Sequence, residues 1–417
     1  MSSERAHRPR ILLVGPYERD NVGDLLFLLV TERYLTDADV VAAAPFASDM
    51  RELLGREVPA FTPLLSGERF DAIWSVGGQL GGVTVGRAYR MSASRGAYRA
   101  YRVAVRSGAG DPALRRAAGG PPPPWPYVPD PLDYPPNAGA IGVVNSAGLG
   151  SLKRLDPDER ERRLALLRGQ TVVRVRDRAS SELLAAAGVD HRLAPDAVHA
   201  LGAIFPVRRD GARDVAVFQA SRSILTALDR REVAAALAAC ESLRGLRLRF
   251  VAAGTATGHD SLVEYERIAR RLRRAAPWLD AQVVSERRPL ALVELLARAR
   301  VVVGTSLHIR VIASAYGVAR VSLARPKVSA YAADWDPDMP YDVGLADLDA
   351  AIARALAVAE RPESAAASRA LSRRVHDELA DLATEVLALA RADTDATRAR
   401  RAALRQRLRL GPAARAS

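Results

Sequence analysis

The chain has 417 residues, of which 49% are hydrophobic and 26% are charged, so it has the composition of a globular protein. A single core usually stops growing below this length, and we therefore expect two domains with a ligand-binding cleft between them. Cys240 is the only cysteine, which excludes a disulfide framework and a thiolate metal cluster. We predict neither a bound metal nor a cofactor.

The N-terminal residues are polar and basic and lead directly into a strand, without the apolar segment of a signal peptide. No apolar run approaches the roughly 18 residues of a membrane span. We therefore expect a cytoplasmic protein, either soluble or peripheral to the inner face of the membrane. Its net charge of +13 favours acidic partners such as phosphates or an anionic lipid surface.

Short β-branched runs alternate with helical segments along the chain. This alternation is typical of parallel, doubly wound α/β proteins and predicts two Rossmann-like domains with a central cleft. The predicted strands cover residues 11–14, 72–76, 140–144, 171–175, 215–218, 247–251, 301–303 and 319–323.

Shifts in composition divide the chain into five predicted segments. Residues 1–205 form the first Rossmann-like domain, and a charged, turn-rich linker follows at 206–213. Residues 214–345 form the second Rossmann-like domain. C-terminal helices occupy 346–392, and a basic tail at 393–417 is predicted to be disordered in part.

Two polar turns follow predicted strands in the first domain. In the first turn, Asn21 can cap a helix and Gly23 permits close backbone approach, an arrangement that binds anions. Asp24 follows in the first helical turn, where the helix dipole favours a carboxylate; a capping role and a functional one both stay open. In the second turn, Gly78 and Gln79 occupy the position at which open α/β sheets hold ligand-facing loops.

A histidine stands in the first turn of a helix in the second domain. The strand at 301–303 leads through Gly304 and Thr305 to a helix that begins near Ser306. The helix dipole disfavours the cationic imidazole, so we expect His308 to be neutral and available as a general acid or base near neutral pH. A packed, structural histidine is the alternative.

Cations follow the next strand of the same domain. Arg325 and Lys327 come after the strand at 319–323. Carboxyl ends of parallel strands meet at one edge of a sheet, so these cations are expected beside His308, where they would bind a small anion.

Six short motifs follow one another along the two predicted domains. They are Asn21 to Asp24, Gly77 to Leu80, Val175 to Ser180, Ala194 to Asp196, Gly304 to His308, and Pro326-Lys327. In their order and spacing the chain resembles the polysaccharide pyruvyl transferase family. The resemblance implies a GT-B-like fold, with the acceptor in the first domain and the donor in the second. It also implies transfer of pyruvate from phosphoenolpyruvate, as a ketal, to a sugar of a polysaccharide, a lipid-linked precursor or a glycosylated metabolite.

The resemblance also implies roles for individual residues. His308 would be the general acid or base, Lys327 and Arg222 would bind the donor anion, and Asp24 would be a base or position the acceptor. Arg222 follows the strand at 215–218, where the family tends to carry an arginine; a surface arginine is the alternative.

The chain departs from the family at Ser306, where an arginine typically grips the donor. Arg310 is four residues further on, so its guanidinium can reach back over that place if the first helical turn is regular. An Arg310 that is paired elsewhere or faces solvent is the alternative.

Two other functions stay open for this fold. One is a GT-B-type glycosyltransferase with a nucleotide-sugar donor, which the serine at position 306 mildly favours. The other is a catalytically silent scaffold whose donor site has decayed.

Basic residues concentrate in two places. Arginines recur about every fourth residue between Arg87 and Arg106, with tyrosines among them, which predicts a basic helical face for a diphosphate or an anionic lipid surface. The segment from Arg398 has seven arginines and no acid, which is typical of peripheral membrane contact or of a solvated, partly disordered tail. Nucleic-acid binding is not predicted, because no zinc spacing, RNP-like strand or helix-turn-helix pattern accompanies the charge.

Overall fold

The computed structural model describes residues 8–108, 110–209 and 213–410, and for Arg95 and Asp111 it describes the backbone alone. The chain divides into two compact units. The first comprises the chain up to Arg19, Phe27–Pro195 and the residues from Glu378 onwards; the second comprises Asp20–Leu26 and Asp196–Asp377. The long stretch of the second unit begins at Asp196, before the predicted linker at 206–213. Residues 210–212 of that linker lie outside the described part.

The first unit contains eight of the strands among the described residues. They are β1 (Arg10–Val14), β2 (Asp39–Ala43), β3 (Ser48–Met50), β4 (Arg56–Val58), β5 (Ala72–Val76), β6 (Ile141–Ala147), β7 (Val172–Val175) and β8 (Arg192–Leu193). Six of them form a parallel sheet in the order β2-β1-β5-β6-β7-β8, and β3 pairs with β4 as an antiparallel hairpin. Strands β5 and β6 are buried along their whole length, as their continuous apolar character requires.

The second unit contains a five-stranded parallel sheet. Its strands are β9 (Val215–Gln219), β10 (Arg247–Phe250), β11 (Ala281–Val283), β12 (Val301–Gly304) and β13 (Ala319–Ser322), in the order β11-β10-β9-β12-β13. Strand β9 therefore lies at the centre, hydrogen-bonded to β10 on one side and β12 on the other. Phe218, Phe250 and Tyr265 form a buried aromatic group on one face of this sheet.

Helices connect the strands of both sheets. In the first half of the chain they are α1 (Val22–Glu32), α2 (Arg51–Leu54), α3 (Phe61–Gly67), α4 (Val85–Ser92), α5 (Arg95–Arg106), α6 (Gly110–Ala118), α7 (Pro157–Arg168), α8 (Arg178–Ala186) and α9 (Leu201–Ile204). In the second half they are α10 (Arg222–Ala227), α11 (Arg230–Ala238), α12 (Leu262–Ala275), α13 (Pro289–Arg298), α14 (Leu307–Ala315), α15 (Pro326–Trp335), α16 (Leu348–Ala359), α17 (Pro362–Arg391) and α18 (Asp395–Arg409). The predicted α/β class with two parallel sheets is confirmed. Among the described residues, no helix is both long and apolar enough to cross a membrane.

The basic C-terminal segment differs from the expectation of a partly disordered tail. Residues Asp395–Arg409 form α18, which begins with a capping box between Thr394 and Thr397. The buried guanidinium of Arg398 donates to the carbonyl oxygens of Phe70 and Pro136 and pairs with Asp393. Sequence patterns do not reveal such partners, because the carbonyl groups come from distant loops. Residues 411–417 of the predicted tail lie outside the described part.

Replacing Arg398 with alanine is expected to destabilise the protein, because two carbonyl oxygens and the Asp393 carboxylate would lose a buried donor. Leaving buried polar groups unpaired costs about 1–3 kcal/mol or more. The midpoint of urea unfolding should therefore fall clearly for Arg398→Ala. Arg407→Ala, an exposed position on the same helix, is the control and should leave the midpoint nearly unchanged. Equal midpoints for the two variants would contradict a structural role for Arg398.

Candidate functional site

The segment Asp20–Leu26 packs at the carboxyl edge of the second sheet. The backbone N–H of Val22 donates to the carbonyl oxygen of Ala253, which follows β10, at 2.8 Å. The carboxylate of Asp20 accepts hydrogen bonds from the hydroxyl of Thr255 at 2.6 Å and from Arg287 at 3.2 Å. A side chain at Gly254 would lie 2.4 Å from the carbonyl oxygen of Asp20, so a glycine is required for this close approach. These contacts fix the polar turn predicted from Asn21 to Asp24.

His308 lies against that turn. It is the second residue of α14 and is 7% exposed. A Cβ atom built at Gly23 would lie 1.8 Å from Nδ1 of His308, so the imidazole occupies the space that any other side chain would need. Asn21 holds the turn by accepting a hydrogen bond from the N–H of Gly23 at 3.2 Å, as a cap does. Asp24 follows in the first turn of α1 and is buried.

A fully buried carboxylate lies on the other side of the imidazole. Oδ2 of Asp196 is 3.7 Å from Nε2 of His308, a distance that pairs charges but exceeds a hydrogen bond. Asp196 is held in place because its Oδ1 accepts from the N–H of Val198 and its own N–H donates to the hydroxyl of Tyr331 at 2.9 Å. In the sequence, Asp196 is only the last residue of the motif Ala194 to Asp196, and no local pattern there indicates that it faces a histidine.

A second histidine, His199, belongs to the same polar group but carries no positive charge near pH 7. Nε2 of His199 lies 3.1 Å from the hydroxyl of Tyr331, and the two rings stack. Burial lowers the pKa of His199 to about 3, so this imidazole is neutral near pH 7. His199 therefore brings no positive charge to compete with His308 for Asp196.

Gln219, at the end of the central strand β9, organises the start of α14. Its Oε1 accepts hydrogen bonds from the N–H groups of Thr305 at 3.0 Å and Ser306 at 2.9 Å. Its Nε2 donates to both carboxyl oxygens of Asp260 at 2.9 Å. Asp260 also accepts from the N–H of Ala253 at 2.7 Å, and it does not cap α12, whose cap is Ser261. Sequence analysis missed Gln219 because a single glutamine after a strand carries no recognisable signal.

The expected role of Arg310 was wrong. Its guanidinium pairs with Asp336 at 2.8 Å and donates to the hydroxyl of Ser322 and the carbonyl oxygens of Pro340 and Met339, and the residue is 2% exposed. Ser306 is the N-cap residue of α14, and its carbonyl oxygen accepts a hydrogen bond from the N–H of Arg310 at 3.2 Å. Arg310 therefore packs in the interior and cannot replace an arginine at position 306. The Ser306 side chain makes no capping hydrogen bond.

The predicted cations occupy the same edge of the second sheet. Arg222 is the first residue of α10, directly after β9, and its backbone N–H donates to the carbonyl oxygen of His259. Lys327 is the second residue of α15, after β13. Both side chains are exposed. The sheet order places β12, which leads to His308, between β9 and β13, so the two cations flank the strand that carries the histidine.

Gly78 and Gln79 belong to the first unit, apart from the residues above. Gly77 and Gly78 have φ angles of 61° and 80°, which explains the glycine pair after β5. Gln79 is exposed and approaches the hydroxyl of Ser151 at 3.5 Å. On the adjacent strand β6, a register shift coincides with a positive φ of 57° at Ser146, so the carboxyl edge of this sheet is irregular.

No group of three His, Cys, Asp or Glu side chains among the described residues could hold a metal ion. The edge of the second sheet offers an imidazole, a buried carboxylate and two exposed cations. Such a set can bind an anion and transfer a proton.

Comparison with known proteins adds a family and a fold. The family model for polysaccharide pyruvyl transferase matches residues 109–326. No curated protein sequence is significantly similar to the chain.

Several solved structures are similar to the chain at low sequence identity. A protein described as a UDP-N-acetylglucosamine 2-epimerase from Listeria monocytogenes has 12% identity and a TM-score of 0.50, covering 91% of this chain and 97% of that one. The corresponding enzyme from Methanocaldococcus jannaschii has 11% identity and a TM-score of 0.48, covering 89% and 99%. A spinosyn rhamnosyltransferase has 14% identity and a TM-score of 0.41, covering 91% and 99%. The Listeria structure and the two parallel sheets confirm the predicted GT-B-like fold. At 12% sequence identity, this similarity shows the fold and not the function.

Asp260 is expected to make stability depend on pH. Burial raises its pKa to about 7, so the folded protein keeps the proton while an unfolded chain releases it near pH 4. The free energy of unfolding should therefore fall as the pH rises from about 4 to about 7 and then level off. Asp260→Asn should remove this part of the pH dependence, measured as urea midpoints between pH 5 and pH 8. The exposed Glu266→Gln is the control; equal pH dependence in wild type and Asp260→Asn would refute the assignment.

Proposed function

The chain belongs to the polysaccharide pyruvyl transferase family, and from this premise we propose that it transfers the carboxyethylidene unit of phosphoenolpyruvate to two hydroxyls of a sugar. The product is a pyruvate ketal, and phosphate is released. Family and fold support the broader statement that the chain is a polysaccharide-modifying transferase. The observation that carries the finer proposal is the imidazole of His308, held between Gly23 and a buried carboxylate on an edge that also bears two cations.

The reaction needs one proton donor and one proton acceptor. Protonation of C3 of the enol makes C2 cation-like, a sugar hydroxyl adds to C2, the bond from C2 to the phosphate oxygen breaks, and the second hydroxyl closes the ketal. Two hydroxyl protons are lost, of which one balances the new methyl group and the other balances the released phosphate. A single group with a pKa near the working pH can serve several of these transfers.

His308 is the group that we assign to proton transfer. Its imidazole can give a proton to C3 or take one from a hydroxyl, and the charge that it gains is stabilised by Asp196, 3.7 Å away and fully buried. We assign Asp196 as a positioning residue, since its carboxylate faces Nε2 of His308. Asp24 stays a candidate for holding the acceptor hydroxyl or removing its proton.

The donor carries a carboxylate and a phosphate, and its charge must be met by cations. Lys327 and Arg222 supply these on the carboxyl edge of the sheet. The N–H groups of Thr305 and Ser306 are already bonded to Gln219, so they add little to an anion. Binding of the donor therefore depends on fewer cations than in family members with an arginine at position 306.

One observation favours a second candidate function. Ser306 has no guanidinium and Arg310 is committed to Asp336, so the usual anion grip is missing from α14. A GT-B-type glycosyltransferase with a nucleotide-sugar donor would not need that grip. The two candidate functions differ in their donor, so measuring which donor binds distinguishes them.

The full-length protein should release phosphate from phosphoenolpyruvate when a suitable sugar is present, together with a product that carries pyruvate. His308→Gln should lower the rate by about 10²–10⁴-fold, because a proton-transfer group is lost. His376→Gln, on α17, is the matched control and should retain the rate. Wild-type turnover that survives in His308→Gln would contradict the assigned role.

Thermal-shift measurements with phosphoenolpyruvate and with nucleotide sugars identify the donor, and stabilisation by a nucleotide sugar alone would favour the glycosyltransferase. No shift with either donor would favour a silent scaffold.

Gly23→Ala should lower kcat strongly with a smaller change in the KM for the donor. The new methyl group would displace the imidazole of His308 while Lys327 and Arg222 stay in place. Gly67→Ala serves as the control, since a Cβ at Gly67 meets nothing within 4 Å. If Gly23→Ala raised the KM and left kcat unchanged, the contact between the turn and the imidazole would have no part in the chemistry.

A further inference from the structure

Helix α5 in the first unit is held by one face. Tyr101 on α5 packs edge-on against Tyr89 of α4, with ring centroids 5.2 Å apart, and Tyr89 packs in the same way against Phe46 at 5.1 Å. Tyr98 lies 6.0 Å from Tyr101, and Arg90 of α4 lies over its ring. These aromatic contacts fix the rotation of α5 about its axis, so the opposite face points to solvent.

That outer face is basic and partly apolar. Arg99, Arg102 and Arg106 are exposed and follow a spacing of three and four residues, which aligns them in one stripe. Val103 is 66% exposed and lies beside the stripe, about 40° from Arg99 around the helix axis. We call these four residues the α5 basic face.

Its charge is not neutralised locally. Residues 84–118 contain eight arginines and a single acid, Asp111. Among the described side chains, Arg99, Arg102 and Arg106 have no ion pair. Two arginines of α18 differ, because Arg398 and Arg405 donate to backbone carbonyl groups and are buried.

A second arginine-rich helix lies in the other unit. On α12, Arg270, Arg271 and Arg274 are exposed, but the helix also carries Glu264 and Glu266. Glu264 pairs with Arg267 at 2.9 Å. The charge of α12 is thus mixed, whereas the α5 basic face has one sign.

We propose that the α5 basic face docks on an anionic lipid bilayer. The guanidinium groups would contact the phosphates of the headgroups, and Val103 would leave water for the interfacial region. A nucleic acid offers the same phosphates, but its backbone gives the exposed valine nothing to bury against. The surface lies in the first unit, outside the residues of the candidate site, so its test does not depend on the reaction.

The full-length protein should co-sediment with vesicles of equimolar phosphatidylcholine and phosphatidylglycerol and not with phosphatidylcholine alone. The triple variant Arg99→Gln, Arg102→Gln, Arg106→Gln should bind about 100-fold more weakly, given the contribution of each arginine near an anionic surface. The matched variant Arg270→Gln, Arg271→Gln, Arg274→Gln removes the same charge from α12 and should bind like wild type. Val103→Ser should also weaken binding. Because this loss comes from apolar burial rather than from charge, its size should not depend on the salt concentration.

Thermal melts of each variant separate loss of binding from loss of folding, since exposed arginines can be replaced with little effect on stability. If both triple variants lost binding equally, the attraction would follow total charge and the proposal would fail. Wild-type binding to double-stranded DNA without binding to anionic vesicles would overturn it as well. Equal binding to neutral and anionic vesicles would also exclude the electrostatic contact.

Discussion

The imidazole of His308 fills the volume that a side chain at position 23 would occupy, and the site of the second unit depends on this contact. A Cβ atom there would be 1.8 Å from Nδ1, well inside any allowed approach. The glycine allows the backbone of the Asn21 to Asp24 turn to press on the ring, while Asp196 limits it from the other side. The glycine turn and Asp196 thus restrict the orientation of the imidazole.

The side-chain amide of Gln219 links the ends of the strands beneath His308. Gln219 must both donate and accept, because its Nε2 contacts the Asp260 carboxyl group and its Oε1 contacts two N–H groups before α14. A glutamate at this position would place two carboxyl groups together, and a lysine would have no acceptor. By binding the two N–H groups before α14, Gln219 positions the start of that helix, and with it His308.

Arginine has several unrelated roles in this chain, and its partners distinguish them. Arg310 and Arg320 share Asp336 and join α14 and β13 to the segment around Pro340. Arg398 and Arg405 satisfy carbonyl groups beneath α18. The exposed arginines of α5 have none of these partners among the described side chains. A net positive charge therefore indicates function only after the arginines with structural partners are set aside.

The central strands were predictable because burial on both faces selects continuous β-branched runs, and the predicted strand at 72–76 is β5. The predicted C-terminal helices at 346–392 are α16 and α17. Strands β2 and β11 escaped prediction because they lie at sheet edges and are partly exposed, which leaves a weaker apolar signal.

For the site, the sequence by itself determined the residue types at the strand ends, since glycine, histidine and cations after strands reflect local backbone chemistry. Only the tertiary structure decided that Arg310 turns inward, that Asp196 faces His308 and that Gln219 joins Asp260 to α14. Those contacts link residues far apart in the chain, and their geometry follows from sheet order and helix rotation, which no local pattern encodes.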